Sequence, residues 1–433
     1  MWDVCGFEAV DVLQNAEWNS LYKTRKRALA IQKGGQKDNM KKSRWFNLMT
    51  IFLSLGTLAV LGGLTFYIDP VFHYRAPRED YAYPLDNERY QNDGITRNFS
   101  YDTIITGSSM TANFKTSECD ELLGGTSVKV PFSGGGYKEV NDNLERAFKT
   151  HPNIKRVIRS LDYSFMVKDK DQVVENVNYP EYLTNDNVLD DVNYVWNKEV
   201  LIGMTKSVFN LTEAGGMTTT LDDYDNWMEG QVFGKEAVLA TYVSQTEADV
   251  KQEENIAQNS DTESASGIAK ESGTDEAQKT STVNTAASVT KREFTDEEKE
   301  TVRENINQNI LALVKEHPET EFDLFLTPYS VCYWDVLSMS GEIEWQLEVE
   351  QFVIDMLLPY ENVHLYGFGT NAELVSNLDN YKDQAHYGEW VNSDILRWIS
   401  EDQYRITEEN KENYEKQMHD YYTTYDYASL HEG

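Results

Sequence analysis

The sequence predicts an α/β fold with a mostly parallel sheet, carried behind a single N-terminal membrane helix. Three observations predict it. Short apolar runs alternate with helical stretches through residues 102–398, and a 23-residue uncharged stretch lies near the N-terminus. A tract at 245–293 has no aromatic residue and no Leu, Met or Pro, and divides the strand pattern in two.

Charge bounds what such a chain can bind. The 433 residues hold 39 basic and 73 acidic side chains, a net charge of −34. A surface this acidic repels phosphate backbones, which argues against nucleic-acid binding through broad basic patches. The 12% aromatic content argues against disorder throughout. Cys5, Cys119 and Cys332 are too few for a disulfide scaffold or a Cys-built zinc site. The seven histidines are scattered without a metal-ligand spacing, so neither a metal nor another cofactor is expected.

The N-terminal element follows from where the charge is missing. Residues 1–45 carry nine basic and five acidic side chains, net +4, leaving −38 for the rest. Residues 46–68 contain no ionisable group apart from Tyr67. As a helix they span roughly 34 Å, enough to cross a bilayer core with every backbone polar group paired. The basic flank Lys41-Lys42-Ser43-Arg44 predicts a cytoplasmic leader at 1–45 and an extracytoplasmic domain at 69–433. A cleaved signal peptide is the competing reading, but the leader and the apolar stretch are too long for one. Cys119 and Cys332 then share the outer side, where pairing and two separate buried thiols both remain open.

Within 69–433 the elements read in order. Residues 102–106 (DTIIT) form a first strand and 127–132 a second, followed by a helix at 137–149 and a third strand at 156–161 (RVIRSL). Residues 322–327 (FDLFLT) and 363–366 (VHLY) read as a fourth and a fifth strand, with a helix at 345–358 between them. Repeated β-α units imply a parallel sheet covered on both faces, with chemistry at the carboxyl ends of the strands. The tract 245–293 has no aromatic residue and no Leu, Met or Pro, and reads as a disordered insertion. Order resumes at Thr295-Asp296-Glu297-Glu298, a capping box opening a helix with Val302, Ile306, Ile310 and Val314 on one face. Residues 162–244 read as a cap or insertion. Its Tyr179, Tyr182, Tyr194, Trp196, Tyr224 and Trp227 suit either a packed cap or a sugar-binding surface. The acidic, Tyr-rich stretch 407–427 begins as a solvated helix without assigned chemistry.

Three short segments carry candidate chemistry. Gly107-Ser108-Ser109-Met110 follows the first strand, where a small-residue turn exposes a hydroxyl and its amide. Ser133-Gly134-Gly135-Gly136 follows the second, where glycines let backbone N–H groups approach a ligand. Asp383-Gln384-Ala385-His386-Tyr387 follows the fifth strand. Three-residue spacing lets the Asp383 carboxylate hold one imidazole nitrogen of His386 while the other faces a serine. Taken singly, each segment also suits an ordinary cap or turn.

Taken together, the three resemble the SGNH (GDSL-type) hydrolase superfamily, in its membrane-anchored branch. That branch includes the D-alanyl-lipoteichoic acid transfer protein of Gram-positive bacteria and the alginate O-acetylation proteins. The resemblance spans roughly 101–161 and 294–398. It implies a flavodoxin-like three-layer α/β/α sandwich with a mostly parallel five-stranded sheet. It also implies Ser109 as nucleophile, His386 as base, Asp383 as its orienting acid, and the Ser109 and Gly134 amides as oxyanion donors. Where the family has Gly-x-Asn-Asp, this chain has Leu161-Asp162-Tyr163-Ser164, and an ionised Asp162 cannot donate to an oxyanion.

The implied function is a serine esterase or O-acyltransferase. It would sit in the plasma membrane of a Gram-positive bacterium and act on acyl esters of a cell-envelope polymer, teichoic acid or polysaccharide. The implied partners are that cell-wall or surface glycopolymer and a membrane-bound O-acyltransferase. The competing reading is a catalytically inactive SGNH-like binding or scaffold subunit of an envelope acylation complex. The distance between the Ser109 and His386 side chains discriminates the two.

Overall fold

The computed structural model describes residues 5–173, 180–241 and 291–431. The expected disordered insertion falls almost wholly outside these residues, as does Tyr179 of the cap.

Helix α1 (Cys5–Ile68) is continuous and takes in most of the basic leader as well as the apolar stretch. The leader is rich in Ala, Leu, Gln, Lys and Arg, which lose little rotamer freedom in a helix, so nothing stops the helix at the charge boundary. The apolar part is long and apolar enough to span a membrane.

The chain then runs through α2 (Glu88–Asn98), β1 (Thr103–Gly107), α3 (Thr116–Leu123), β2 (Ser127–Pro131), α4 (Tyr137–Thr150) and β3 (Arg156–Leu161). It returns to the sheet through β4 (Glu321–Leu326), β5 (Val363–Gly367) and β6 (Arg405–Ile406). The order is β2-β1-β3-β4-β5-β6, with every pairing parallel except β5–β6. The expected five strands are therefore six. The extra one is a two-residue antiparallel edge pairing Ile406 with Leu365 and Arg405 with Tyr366, too short to leave an apolar run in the sequence.

β1 and β2 are buried along their whole length, as parallel strands covered on both faces must be. Around them α2 packs on α4, α3 on the helix Glu389–Ser400, and Asp296–Ile306 on Ile343–Leu357. The capping box is formed: Thr295 accepts from the Glu298 N–H and the Glu298 carboxylate accepts from the Thr295 N–H. Val302, Ile306, Ile310 and Val314 are all buried, and a π-helical turn at Asn307–Leu311 interrupts the helix among them. Strict four-residue spacing overshoots a 3.6-residue turn, and a wider turn keeps the stripe facing the core.

The C-terminal helix Lys411–Thr424 corrects the solvated reading. Tyr414, Met418 and Tyr422, four residues apart, are buried. The Tyr422 ring stacks on Trp334 at 3.9 Å, and the Tyr414 hydroxyl donates to buried Glu350 at 2.9 Å. Gly367 leaves room for this helix, since a Cβ there would lie 2.4 Å from the Tyr414 ring. Cys119 and Cys332 are separate, buried free thiols.

Candidate active site

The sheet places the candidate residues at a switch in strand order. From β1 the chain moves one way to β2, then returns to β3 on the other side of β1 and continues to β4 and β5. The carboxyl ends of β1 and β3 are therefore neighbours whose connections diverge, which opens a crevice between them. Ser108-Ser109 leaves β1 there and Asp162 leaves β3.

The Ser109 turn is set by contacts that only certain residues permit. Gly107 has φ +150°, and a Cβ on it would lie 2.1 Å from the Ser160 hydroxyl. Such close approach requires glycine. Ser108 caps the single turn Ser109–Thr111 through its hydroxyl, which accepts from the Met110 N–H at 3.2 Å. The Ser108 N–H donates to Ser160 Oγ at 3.3 Å, and Asn392 Nδ2 donates to the Met110 carbonyl at 2.9 Å. These bonds leave Ser109, half-buried, at the lip of the turn.

Ser109 Oγ lies 2.8 Å from His386 Nε2, and His386 Nδ1 lies 2.9 Å from Asp383 Oδ2. The other Asp383 oxygen accepts from the Ala385 and His386 backbone N–H groups at 2.9 and 2.8 Å. Burial pushes the Asp383 carboxyl upward. The bonds from His386 and the two amides outweigh it and hold the group below the usual carboxylate range. An ionised Asp383 accepts from Nδ1–H, which leaves Nε2 as the acceptor facing the Ser109 hydroxyl. The loop carrying both residues is pinned at each end. Lys382 N–H donates to the His386 carbonyl at 3.0 Å, and the Ser330 hydroxyl donates to the Gln384 carbonyl at 2.8 Å. Tyr387 is buried and forms an antiparallel bridge with Tyr381.

Gly134 sits in the turn after β2 with φ +72°. That turn is adjacent to the Ser109 turn, because Pro131 pairs with Gly107 and the Phe132 N–H donates to the Gly107 carbonyl at 2.8 Å. Among the described residues, neither the Ser109 nor the Gly134 backbone N–H has a hydrogen-bond acceptor. The turn is held by Glu88, whose carboxylate accepts from the Ser133 N–H at 3.0 Å, and by Arg89, which donates to the Ser133 carbonyl at 2.8 Å. Burial and the neighbouring Asp225 charge push the Glu88 carboxyl up to about 8.

Asp162 is not positioned as a donor. It is buried, with Oδ1 accepting from the Tyr329 hydroxyl at 2.9 Å and Oδ2 from the Ser160 hydroxyl at 3.0 Å. Burial pushes its carboxyl up against those bonds. Ser160 in turn accepts from the Ser108 N–H, so Asp162 braces the Ser109 turn from beneath.

The cap supplies a contact that the motifs did not reveal. Trp227 Nε1 donates to the Ser109 carbonyl at 3.1 Å, and its ring meets His386 edge-on at 5.6 Å. Its backbone N–H donates to Asn113 at 3.1 Å. Nearby, the buried Lys129 ammonium joins the Ala112 and Phe114 carbonyls of the nucleophile loop to the Asp222 carbonyl of the cap. Tyr194 and Tyr224 are core residues of the cap, as the packed reading expects, whereas Trp227 faces the site. A Trp among Asp and Asn residues was the one available signal, and it did not separate Trp227 from the others.

The geometry can therefore activate a serine hydroxyl, with the Gly134 turn adjacent to it. Comparison with family models, curated proteins and solved structures returned no match.

Proposed function

We propose that the chain is a membrane-anchored serine esterase or O-acyltransferase of SGNH type, with a flavodoxin-like α/β/α sandwich on the extracytoplasmic side of the plasma membrane. It acts on acyl esters of a cell-envelope polymer, teichoic acid or polysaccharide, alongside a membrane-bound O-acyltransferase. The observation that carries this reading is the Ser109–His386–Asp383 relay. It joins residues 277 positions apart in the chain through bonds of 2.8 and 2.9 Å.

His386 Nε2 takes the Ser109 proton as Oγ attacks the ester carbonyl carbon. Asp383 holds the imidazolium that forms. The negative oxygen of the tetrahedral intermediate meets the Ser109 and Gly134 N–H groups. Protonated His386 then gives its proton to the departing alkoxide, leaving an acyl group on Ser109. Water or a glycan hydroxyl, deprotonated by the same imidazole, takes up the acyl group and restores the serine. Asp162 supports the turn instead of donating to the oxyanion, so the two backbone amides carry that charge. Ser109 and His386 far apart would favour the inactive-scaffold reading, and their 2.8 Å contact favours the enzyme.

Ser109→Ala in the full chain is expected to lower turnover of an aryl acetate about a thousandfold or more and to abolish fluorophosphonate labelling. Unchanged turnover and labelling would remove Ser109 from the mechanism.

A further inference from the structure

We infer that the cap is a second membrane-contacting element, with residues 188–202 embedded in the outer leaflet beside the anchor helix. This goes beyond the esterase reading and rests on residues 46–68 crossing the bilayer.

The first observation is a shortfall in free helix length. Residues 46–60 are exposed on every face, whereas Gly62, Thr65 and Ile68 are buried against the globular part. Fifteen exposed residues rise only about 22 Å, and a hydrocarbon core is about 30 Å thick. For the helix to span that core, the packed residues beyond Val60 must enter it, together with whatever packs on them.

The second observation is what packs there. The Trp196 indole N–H donates to the Leu58 carbonyl at 2.8 Å, and a Cβ on Gly62 would lie 2.7 Å from that indole nitrogen. The short helix Val192–Val195 and the turn Glu199–Met204 also touch α1. An indole donating into a helix already bonded to itself marks a close dock rather than a passing contact.

The third is the level of the interface. Arg75 lies over the Phe66 ring at 4.6 Å and Arg78 over the Tyr67 ring at 4.4 Å, the pairing of aromatics and cations that suits the headgroup zone. Leu58 is eight residues before Phe66, about 12 Å deeper along the helix axis. Trp196 therefore reaches below the headgroups.

The fourth is the surface the cap presents. Val188 and Leu189 are 78% and 82% exposed, and Val192, Trp196 and Ile202 are exposed beside them in sequence. Five exposed large apolar side chains within fifteen residues are costly in water and favourable in lipid. The Asp190 and Asp191 carboxylates of this stretch are engaged within the protein, Asp191 by His73 and Tyr74 and Asp190 by Asn185. Its exposed charges, Lys198 and Glu199, are on side chains long enough to reach the headgroups. A docked cap also holds the site at a set height above the membrane, because the same cap delivers Trp227 to Ser109.

The test uses the full chain with Cys5→Ser, reconstituted in phosphatidylcholine–phosphatidylglycerol vesicles. Nitroxide labels are placed singly through Leu53→Cys, Val188→Cys, Leu189→Cys and Met339→Cys. Collision with oxygen reports lipid, and collision with a water-soluble nickel chelate reports solvent. The oxygen-to-nickel ratio at positions 188 and 189 is expected to be about threefold or more above that at 339 and close to that at 53. Lipid-like values at 53 with water-like values at 188 and 189 would overturn the inference and leave the anchor standing. Water-like values at 53 would overturn the anchor itself. Shielding of 188 and 189 from both reagents would show protein contact in place of lipid and also overturn it. Quenching of Trp196 by brominated lipid, taken as the difference from Trp196→Phe, is expected to agree and does not depend on the labels.

Discussion

Two carboxylate sites flank Ser109, and their chemistry is opposite. On the His386 side, Asp383 is held below the usual range, because one imidazole and two backbone N–H groups overcome its burial. On the Gly134 side, burial and the Asp225 charge push Glu88 up to about 8 against the help from Ser133 and Arg89, and burial raises Asp225 against its bonds to Glu88 and Ser133. Glu88 is buried and Asp383 half-buried, and both position a turn. The difference lies in whether donors or a like charge stand around the carboxyl. An anion orients an imidazole on one side, while a carboxyl raised by burial and a neighbouring charge braces a loop on the other.

The largest expected break in this comparison is Asp383→Asn. The amide can present N–H to Nδ1 and favour the wrong tautomer, so kcat on an aryl acetate is expected to fall about a thousandfold with little change in KM. A loss below tenfold would show that Asp383 does not set the imidazole.

Asp162→Ala acts on the turn between the two sites. It leaves Ser160 and Tyr329 without their acceptor and frees the Ser108 amide from its brace. A cost of roughly 1–3 kcal/mol in stability is expected, with kcat reduced about tenfold or more. Urea unfolding and steady-state kinetics on one preparation measure both; full stability and full activity would show that the brace is dispensable.

Trp227→Phe keeps the ring edge toward His386 but removes the N–H bonded to the Ser109 carbonyl. A drop of about threefold to tenfold in kcat is expected, with fluorophosphonate labelling slowed in proportion. Wild-type labelling would confine Trp227 to packing.

The smallest effect is that of Glu88→Gln, and it depends on pH. A carboxyl raised in the folded state favours folding most below its unfolded value. Its contribution is lost as pH rises from about 4.5 toward the folded value near 8. Glu88→Gln removes that loss, so the variant is expected to exceed the wild type by roughly 1 kcal/mol at pH 8 and to match it near pH 5. Asp383, with its lowered value, contributes with the opposite sign, and its stabilisation is lost only as pH falls through the acid range. Melting curves for the wild type, Glu88→Gln and Asp383→Asn across pH 4–9 separate the two slopes; parallel curves would contradict the raised value.

Much of this arrangement is readable in the chain because it is local. Five of the six strands are apolar runs bounded by turn residues, and all five lie within a residue of their expected limits. Gly107-Ser108-Ser109 and Asp383-x-x-His386 are recognisable because their hydrogen bonds span only two or three residues. What escaped is non-local. β6 exists only because β5 offers a free edge, and the C-terminal helix hides its tyrosines because Gly367 leaves a groove. Trp227 and Trp196 share an aromatic, acid-rich segment, yet one closes on Ser109 and the other on the apolar N-terminal helix. Nothing in their flanking residues distinguishes those destinations.

By itself, the sequence determined the α/β class, the apolar N-terminal helix and the identities of Ser109, Asp383 and His386. Hydropathy, strand periodicity and short-range hydrogen bonding act over a few residues and leave their mark there. Only the tertiary structure decided that Ser109 meets His386, that Asp162 lies beneath the turn, and which cap tryptophan touches which partner. Those outcomes depend on strand order and on side chains far apart in the chain competing for the same buried space.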